Sequence, residues 1–318
     1  MALAIEVSGL KKNFREKGRD SWAVRGIGLK VKKGEIYGFL GPNGAGKSTT
    51  IFMLSTLVAP TSGRARVLGH DIVEEANDIR KKMGICVSGT QFYYEFYPRE
   101  ILHYYGMLFG MGRKERNAKA DELMAALDIN PFKDKYFGDL STGMKQKVAI
   151  AKSLMNSPEV LFLDEPTAGL DVEVARDIRQ YIADLAKDTG MTVLLTSHQL
   201  YEVEEMCRDI SVINRGRIIA EGGIKRIRER MGFPDVVRLY LDKYTGLKFL
   251  GGMKGVLDWE VNDGLRIEAV SSPSAVPEII RTLQKRRYRI MDMEVTKASL
   301  EDMFMKIVKE KGRRKYVE

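Results

Sequence analysis

The sequence predicts an α/β fold built on buried parallel strands with a helical insert, followed by a small α+β domain. Three observations carry this. Short apolar runs without polar alternation recur at 36–40, 160–163 and 191–196, the pattern of strands covered on both faces. A glycine-rich turn at 41–46 separates the first run from a helix-like segment. Beyond Gly222 the pattern changes to alternating segments around Asn262-Asp263-Gly264, a hairpin signal.

The elements follow in order. Leu3, Ile5 and Val7 alternate as a strand does, and a second short strand is expected around 27–31. The run 36–40 enters the glycine turn, and 48–58 follows as a helix. Residues 61–69 read as turn, strand, turn; 74–82 as a helix; 83–87 as a strand. From Pro98 to about Asp139 the apolar residues Ile101, Leu102, Tyr105, Leu108 and Phe109, then Leu123, Met124 and Leu127, recur at helical spacing. This defines a helical subdomain over about 98–155. Strands at 160–163 and 191–196 flank a long helix over about 172–187. After Gly222-Gly223 come strand 236–241, hairpin 256–270, helix 275–285, strand 290–295 and helix 300–309. Ser299 with Asp302 three residues on marks the start of the last helix. Two domains are expected, 1–221 and 222–318, the second with a ferredoxin-like arrangement.

Composition bounds the function. The chain has 318 residues, 44% hydrophobic and 30% charged, which describes a soluble globular protein with ample core. No apolar stretch approaches the roughly 18 residues of a membrane span, and Met1–Val7 lacks the features of a secretory signal. The expected location is therefore the cytoplasm. Two cysteines, Cys86 and Cys207, and three histidines argue against a disulfide framework or a zinc cluster. The formal charge of +9 is uneven: 21 Lys+Arg against 14 Asp+Glu from Gly222 onward, and 31 against 29 before it. A basic region can signal nucleic acid or an anionic membrane, but a solvated basic face accounts for it equally well.

Residues Gly41-Pro42-Asn43-Gly44-Ala45-Gly46-Lys47-Ser48-Thr49 follow the apolar run 36–40. Strand, glycine turn and helix start form an anion site, because successive backbone N–H groups curl around a phosphate without Cβ clashes. Lys47 is placed to reach the β- and γ-phosphates, and the Ser48 hydroxyl to ligate Mg²⁺. The complete pattern predicts a P-loop NTPase. The run 160–163 ends in Asp164-Glu165, two adjacent carboxylates that strand geometry sends to opposite sides. Asp164 suits Mg²⁺ and Glu165 suits polarising the attacking water.

Read with these two motifs, Leu140-Ser141-Thr142-Gly143-Met144 resembles the signature loop of ABC ATPases, and the resemblance covers about residues 3–220. It implies an antiparallel β subdomain and places Phe14 where the family stacks an aromatic on adenine. Ala168-Gly169-Leu170-Asp171 looks like the D-loop, and Ser197-His198 like the switch histidine. Ser141 and Gly143 keep the features a second anion site needs, whereas Thr142 and Met144 depart from the commonest glycine and glutamine. The resemblance implies two ATP molecules clamped head-to-tail in a homodimer, with Ser141 addressing the ATP of the other subunit. In it His198 touches the γ-phosphate and Asp171 links the two sites. The family expects a glutamine just after strand 83–87, where direct alignment puts Ser88 or Gly89. Gln91 is the nearby glutamine, so the Mg²⁺-contacting role falls to it through a shift in loop length. Phe92-Tyr93-Tyr94-Glu95-Phe96-Tyr97 follows, five aromatics in six residues. Core packing cannot easily take them all, and in the family this neighbourhood receives the coupling helix of the membrane subunit.

The resemblance implies an ATP-hydrolysing transporter subunit, peripheral on the cytoplasmic face of the membrane, driving a permease on a separate polypeptide. Leu300-Glu301-Asp302-Met303-Phe304 resembles the C-terminal extension of ABC-2 type drug-export ATPases. The alternative is a soluble ABC ATPase acting on nucleic acid or ribosomes. Only about ninety residues separate Lys47 from Ser141, too few for the long coiled coil of DNA-repair members. Ribosome-associated members usually carry two cassettes, and this chain has one. No nucleic-acid motif is present, so a nucleic-acid partner is not expected.

Overall fold

A computed structural model describes residues 2–16, 19–87, 89, 92–197, 200–224, 226–227, 234–270 and 275–297. The chain divides into two compact units, Met1–Glu221 and Gly222–Glu318. Each is described by itself.

The first unit opens with a long antiparallel pair, β1 (Leu3–Glu16) and β2 (Arg19–Lys32). The sequence pattern reveals only the C-terminal part of β2, because the apolar Ile27, Leu29 and Val31 alternate there while its first half is mostly polar. After β3 (Ile36–Leu40) comes α1 (Lys47–Leu54). This helix stops short of the expected Val58 because Thr56 turns to φ 63, which breaks the helical path. Next come β4 (Ser62–Val67), β5 (His70–Asp71), α2 (Ala76–Lys82) and β6 (Met83–Val87). The helical stretch contains α3 (Pro98–Leu108), α4 (Arg113–Ala126) and α5 (Thr142–Ser153). Glu100 folds back to accept the Tyr97 N–H at 2.9 Å, closing the start of α3. Then follow β7 (Val160–Asp164), α6 (Val172–Thr189), β8 (Thr192–Ser197), α7 (Leu200–Met206), β9 (Asp209–Asn214) and β10 (Arg217–Gly223).

Two sheets result. An antiparallel sheet has the order β2-β1-β4-β5, and a six-stranded sheet has the order β10-β9-β3-β8-β7-β6. In the second, β3, β6, β7, β8 and β9 are parallel. β7 and β8 are buried along their whole length, which explains their unbroken apolar runs. One core joins the sheets: Ile5, Leu10 and Val31 of the first pack with Phe39, Val160 and Phe162 of the second and with Ile51 and Leu54 of α1. Cys86 and Cys207 are both buried. Burial pushes the Cys86 thiol up to about 11, so it is inert at neutral pH.

The second unit holds β11 (Pro234–Leu241), β12 (Val256–Asn262), β13 (Gly264–Val270), α8 (Ala275–Lys285) and β14 (Ile290–Lys297). Its antiparallel sheet runs β12-β13-β11-β14, with a 3₁₀ segment, Leu247–Gly252, between β11 and β12. Val237, Leu239, Leu265 and Ile267 form one sheet face and pack with Ile279 and Leu283 of α8. The turn at Gly264 takes φ 109, which glycine adopts without Cβ strain. The helix expected at 300–309 lies outside the described residues. Among the described residues no helix is long and apolar enough to cross a membrane.

Candidate functional site

Sheet register assembles the site. Leu40 pairs with Ser197, and Asp164 pairs with Thr196 on one side and Val87 on the other. These residues end their strands, Thr196 one short of the end, so the loops that follow share the carboxyl edge of a parallel sheet. That edge, at a point where chain order reverses, is where α/β folds bind ligands.

From Leu40 the chain enters residues 41–46. Gly44 and Gly46 have φ of 74 and 108, and Gly44 faces open space. The loop is fixed from behind. A Cβ on Gly46 would lie 2.5 Å from the Ala23 carbonyl, and one on Gly41 would lie 2.4 Å from the Ile213 carbonyl. The Gly216 N–H donates to the Ala45 carbonyl at 2.9 Å, and the Thr50 hydroxyl to the Gly46 carbonyl at 2.8 Å. Pro42 is half-buried and Asn43 exposed at the rim, while Ser48 and Thr49 are half-buried at the first turn of α1. Lys47 is buried, 5% exposed, and its Nζ donates to the Gly41 carbonyl at 2.8 Å. The same Nζ lies 3.4 Å from Glu165 Oε1. A buried ammonium folded into an open glycine loop is the arrangement a polyphosphate fits.

Asp164 ends β7 and Glu165 lies just beyond it, so the strand alternation expected of the pair does not extend to Glu165. Asp164 is 6% exposed and accepts the Thr196 hydroxyl at 2.6 Å. The Glu165 N–H donates to both the Thr196 carbonyl and the Thr196 hydroxyl oxygen, each at 3.1 Å. Thr196 therefore orients both carboxylate residues. Sequence reasoning passed over it, although a polar Thr-Ser pair ending an apolar strand is a usable signal. Glu165 has φ 52, a left-handed conformation that strains a non-glycine residue and is held by its surroundings. Asp164 is a buried carboxylate with no cation partner among the described residues, and Ser48 stands in the first turn of α1, a helix that packs against β7. This donor set fits Mg²⁺, which takes one or two protein oxygens and completes its shell with phosphate and water.

The signature residues act locally as helix starts. Ser141 caps α5, its Oγ accepting the Met144 N–H at 3.3 Å, and Asp171 caps α6 by accepting the Val174 N–H at 2.9 Å. Gly143 packs toward Val174, so a Cβ there would meet the valine at 3.3 Å. Among the described residues no hydrogen bond joins Ser141 or Gly143 to 41–49. Phe14 is 39% exposed, with Lys12 Nζ 5.0 Å from its ring centre. It pairs with Ser21 on β2, two residues before the Ala23 carbonyl that backs Gly46. Gln91 and His198 lie outside the described residues.

The aromatic run divides its members. Phe92 packs edge-on against Phe137 at 5.0 Å between ring centres, and Tyr97 stacks on Tyr136 at 4.6 Å. Tyr93 and Tyr94 stay 74% and 63% exposed. With Phe96, Ile101 and Tyr104 they line a hollow of about 380 Å³. Lys152 beneath Tyr105 donates to the Ile85 carbonyl at 3.0 Å, and burial holds its ammonium pKa below the usual range.

Known proteins share this arrangement. Residues 24–168 match the family described as ABC transporter. The daunorubicin resistance ATP-binding protein DrrA3 of Streptomyces coeruleorubidus is 34% identical over 304 residues, 95% of each chain. The chain belongs to the ABC transporter family. It is an ATP-binding, ATP-hydrolysing member of that family. The bacitracin transport ATP-binding protein BcrA of Bacillus licheniformis is 31% identical over 291 residues, 90% of this chain and 92% of its own. A dimeric ATP-binding cassette in a post-hydrolysis state, bound to ADP and Pi, superposes with a TM-score of 0.65 at 24% identity. That match covers 69% of this chain and 98% of the other, and shares the ABC ATPase fold.

Proposed function

We propose that this ABC ATPase works as a head-to-tail homodimer that powers a separate membrane permease of the ABC-2 export type. The observation that carries the reading is the shared sheet edge: the glycine loop, Lys47, Asp164 and Glu165 converge there within one protomer, while Ser141 and Gly143 do not join them. The site is thus half built, and a second copy has the missing half to offer. Residues 1–221 are assigned as the ATPase domain, with its helical subdomain at about 98–155, and 222–318 as an accessory domain of ferredoxin-like order.

In this reading the residues divide the work. Gly44 and Gly46 leave room for the phosphates, Lys47 balances the charge on the β- and γ-phosphates, and Phe14 stacks on adenine. Asp164 and Ser48 hold Mg²⁺, with Gln91 as a third ligand; the ion neutralises phosphate charge when bound. Glu165 polarises the water, His198 touches the γ-phosphate, and Ser141, Gly143 and Asp171 address the second copy and its ATP. The exposed Tyr93 and Tyr94 beside their hollow present an apolar surface suited to a permease helix. Through that contact the chain sits on the cytoplasmic face of the membrane.

The relatives named for daunorubicin resistance and bacitracin transport support export over the soluble alternative on nucleic acid or ribosomes. Gel filtration of Glu165→Gln with ATP and Mg²⁺ tests the assembly. The variant is expected to run as a dimer, and a monomer under those conditions would overturn the head-to-tail reading.

A further inference from the structure

A buried polar cluster lies behind the catalytic edge, centred on Glu202, which belongs to none of the motifs above. Glu202, in the first turn of α7, is 2% exposed. Its Oε1 accepts from Arg179 Nη1 at 2.9 Å. Its Oε2 accepts from the Thr167 hydroxyl at 2.6 Å and the Ser197 hydroxyl at 3.1 Å. Arg179 is buried too, at 6%, and its Nε reaches Glu205 at 3.2 Å.

The two hydroxyls come from different loops. Thr167 follows Glu165 by two residues, and its carbonyl accepts the Leu170 N–H at 3.3 Å, which closes the turn leading to Asp171. Ser197 ends β8 opposite Leu40, the last residue before the glycine loop, and directly precedes His198 in sequence. One carboxylate oxygen therefore ties the turn that starts after Glu165 to the end of β8. Stability alone is a poor reason for this device, since buried ion pairs are commonly replaceable by apolar packing at little loss. A buried network whose members are all satisfied instead fixes one arrangement of the segments it joins.

We propose that Glu202 is a positioning residue for ATP hydrolysis, holding Thr167 and Ser197 so that the turn leading to Asp171 and the end of β8 keep a common geometry. Arg179 is its countercharge. Each hydroxyl acts through the same oxygen, so their losses overlap instead of adding.

The test is ATPase rate against ATP concentration, with thermal midpoint, for full-length wild type, Glu165→Gln, Thr167→Val, Thr167→Ser, Ser197→Ala and the Thr167→Val/Ser197→Ala pair. The two hydroxyl deletions preserve the charge pair, which Glu202→Gln would break, and so keep the fold intact. Thr167→Val is expected to lower kcat about tenfold while KM for ATP stays within about twofold, as for an interaction made only in the transition state. Thr167→Ser restores most of the rate, and the double variant is no slower than the slower single. Turnover in Thr167→Val within about twofold of wild type, or a loss of rate that follows the thermal midpoint through the series, overturns the proposal. It rests on the hydrolytic roles given above. Wild-type turnover in Glu165→Gln would sink those roles and this one with them, whereas wild-type turnover in Thr167→Val sinks this one alone.

Discussion

Lys47 Nζ and Glu165 Oε1 lie 3.4 Å apart, so the cation of the phosphate loop is held by the carboxylate at the end of β7. In the proposed reading an incoming triphosphate competes with that carboxylate for the lysine. At an effective dielectric near 20 such a contact is substantial, yet desolvation offsets much of it, leaving about 1 kcal/mol. Glu165→Gln is accordingly expected to bind ATP about fivefold more tightly than wild type, separately from any effect on turnover. Titration with a fluorescent ATP analogue at low protein concentration measures this. Equal affinities would mean that the pair imposes no barrier to nucleotide entry.

Thr196→Val removes the hydroxyl that donates to Asp164 and accepts from Glu165 while keeping the side-chain volume. Leaving buried polar groups unpaired costs about 1–3 kcal/mol. A thermal midpoint lower by several degrees is expected, together with a kcat drop of about tenfold or more, because both carboxylate residues lose their brace. Differential scanning calorimetry and steady-state ATPase assays check the two parts independently.

Gly46→Ala meets the Ala23 carbonyl at 2.5 Å and would force a side chain into φ 108. Backbone cannot yield there cheaply, so a loss of more than about 2 kcal/mol is expected, with ATP binding abolished. Gly44→Ala has φ 74 but open space around its Cβ, and should fold better while still weakening nucleotide binding. Urea unfolding alongside nucleotide titration separates the two variants.

Glu35 gives a pH-dependent prediction. Burial raises its carboxyl pKa above the ordinary 4.5, opposed by the Lys32 N–H and reinforced by Asp209. The folded state thus holds this proton more tightly than the unfolded state. Its ionisation costs stability, a penalty that grows as pH rises through the raised value and vanishes below about 4.5, where both states are protonated. Glu35→Gln should therefore raise the thermal midpoint at pH 8 more than at pH 4. The same gain at both pH values would refute this assignment.

Much of this was legible in the sequence because the strongest signals are local. Apolar runs marked β3, β7 and β8, and the glycine turn between β3 and α1 needed only spacing to be read. Helix Ala275–Lys285 has the bounds its periodicity indicates. What stayed hidden depends on pairing across the chain. The first half of β2 carries Asp20, Ser21 and Arg25, and becomes a strand only because β1 lies beside it. Thr196 acquires its role from register with Asp164, 32 residues away, and Glu202 meets Thr167 across 35. No periodicity within a segment encodes such contacts. Ser141 and Asp171 were read from the resemblance, but their second duty as helix caps could have been inferred from residue type alone.

That second duty bears on how two copies would meet. Ser141 and Asp171, the residues assigned to the far ATP, are tied to their own helices before any neighbour arrives. Little chain entropy then remains to be lost on closure, and assembly becomes the docking of preformed surfaces. Stopped-flow association of Glu165→Gln with ATP should show a rate proportional to protein concentration, without a plateau from a slow ordering step. The energy of ATP binding is in that case free to act on whatever the closing protomers carry, because none of it is consumed in folding the loops that grip the nucleotide.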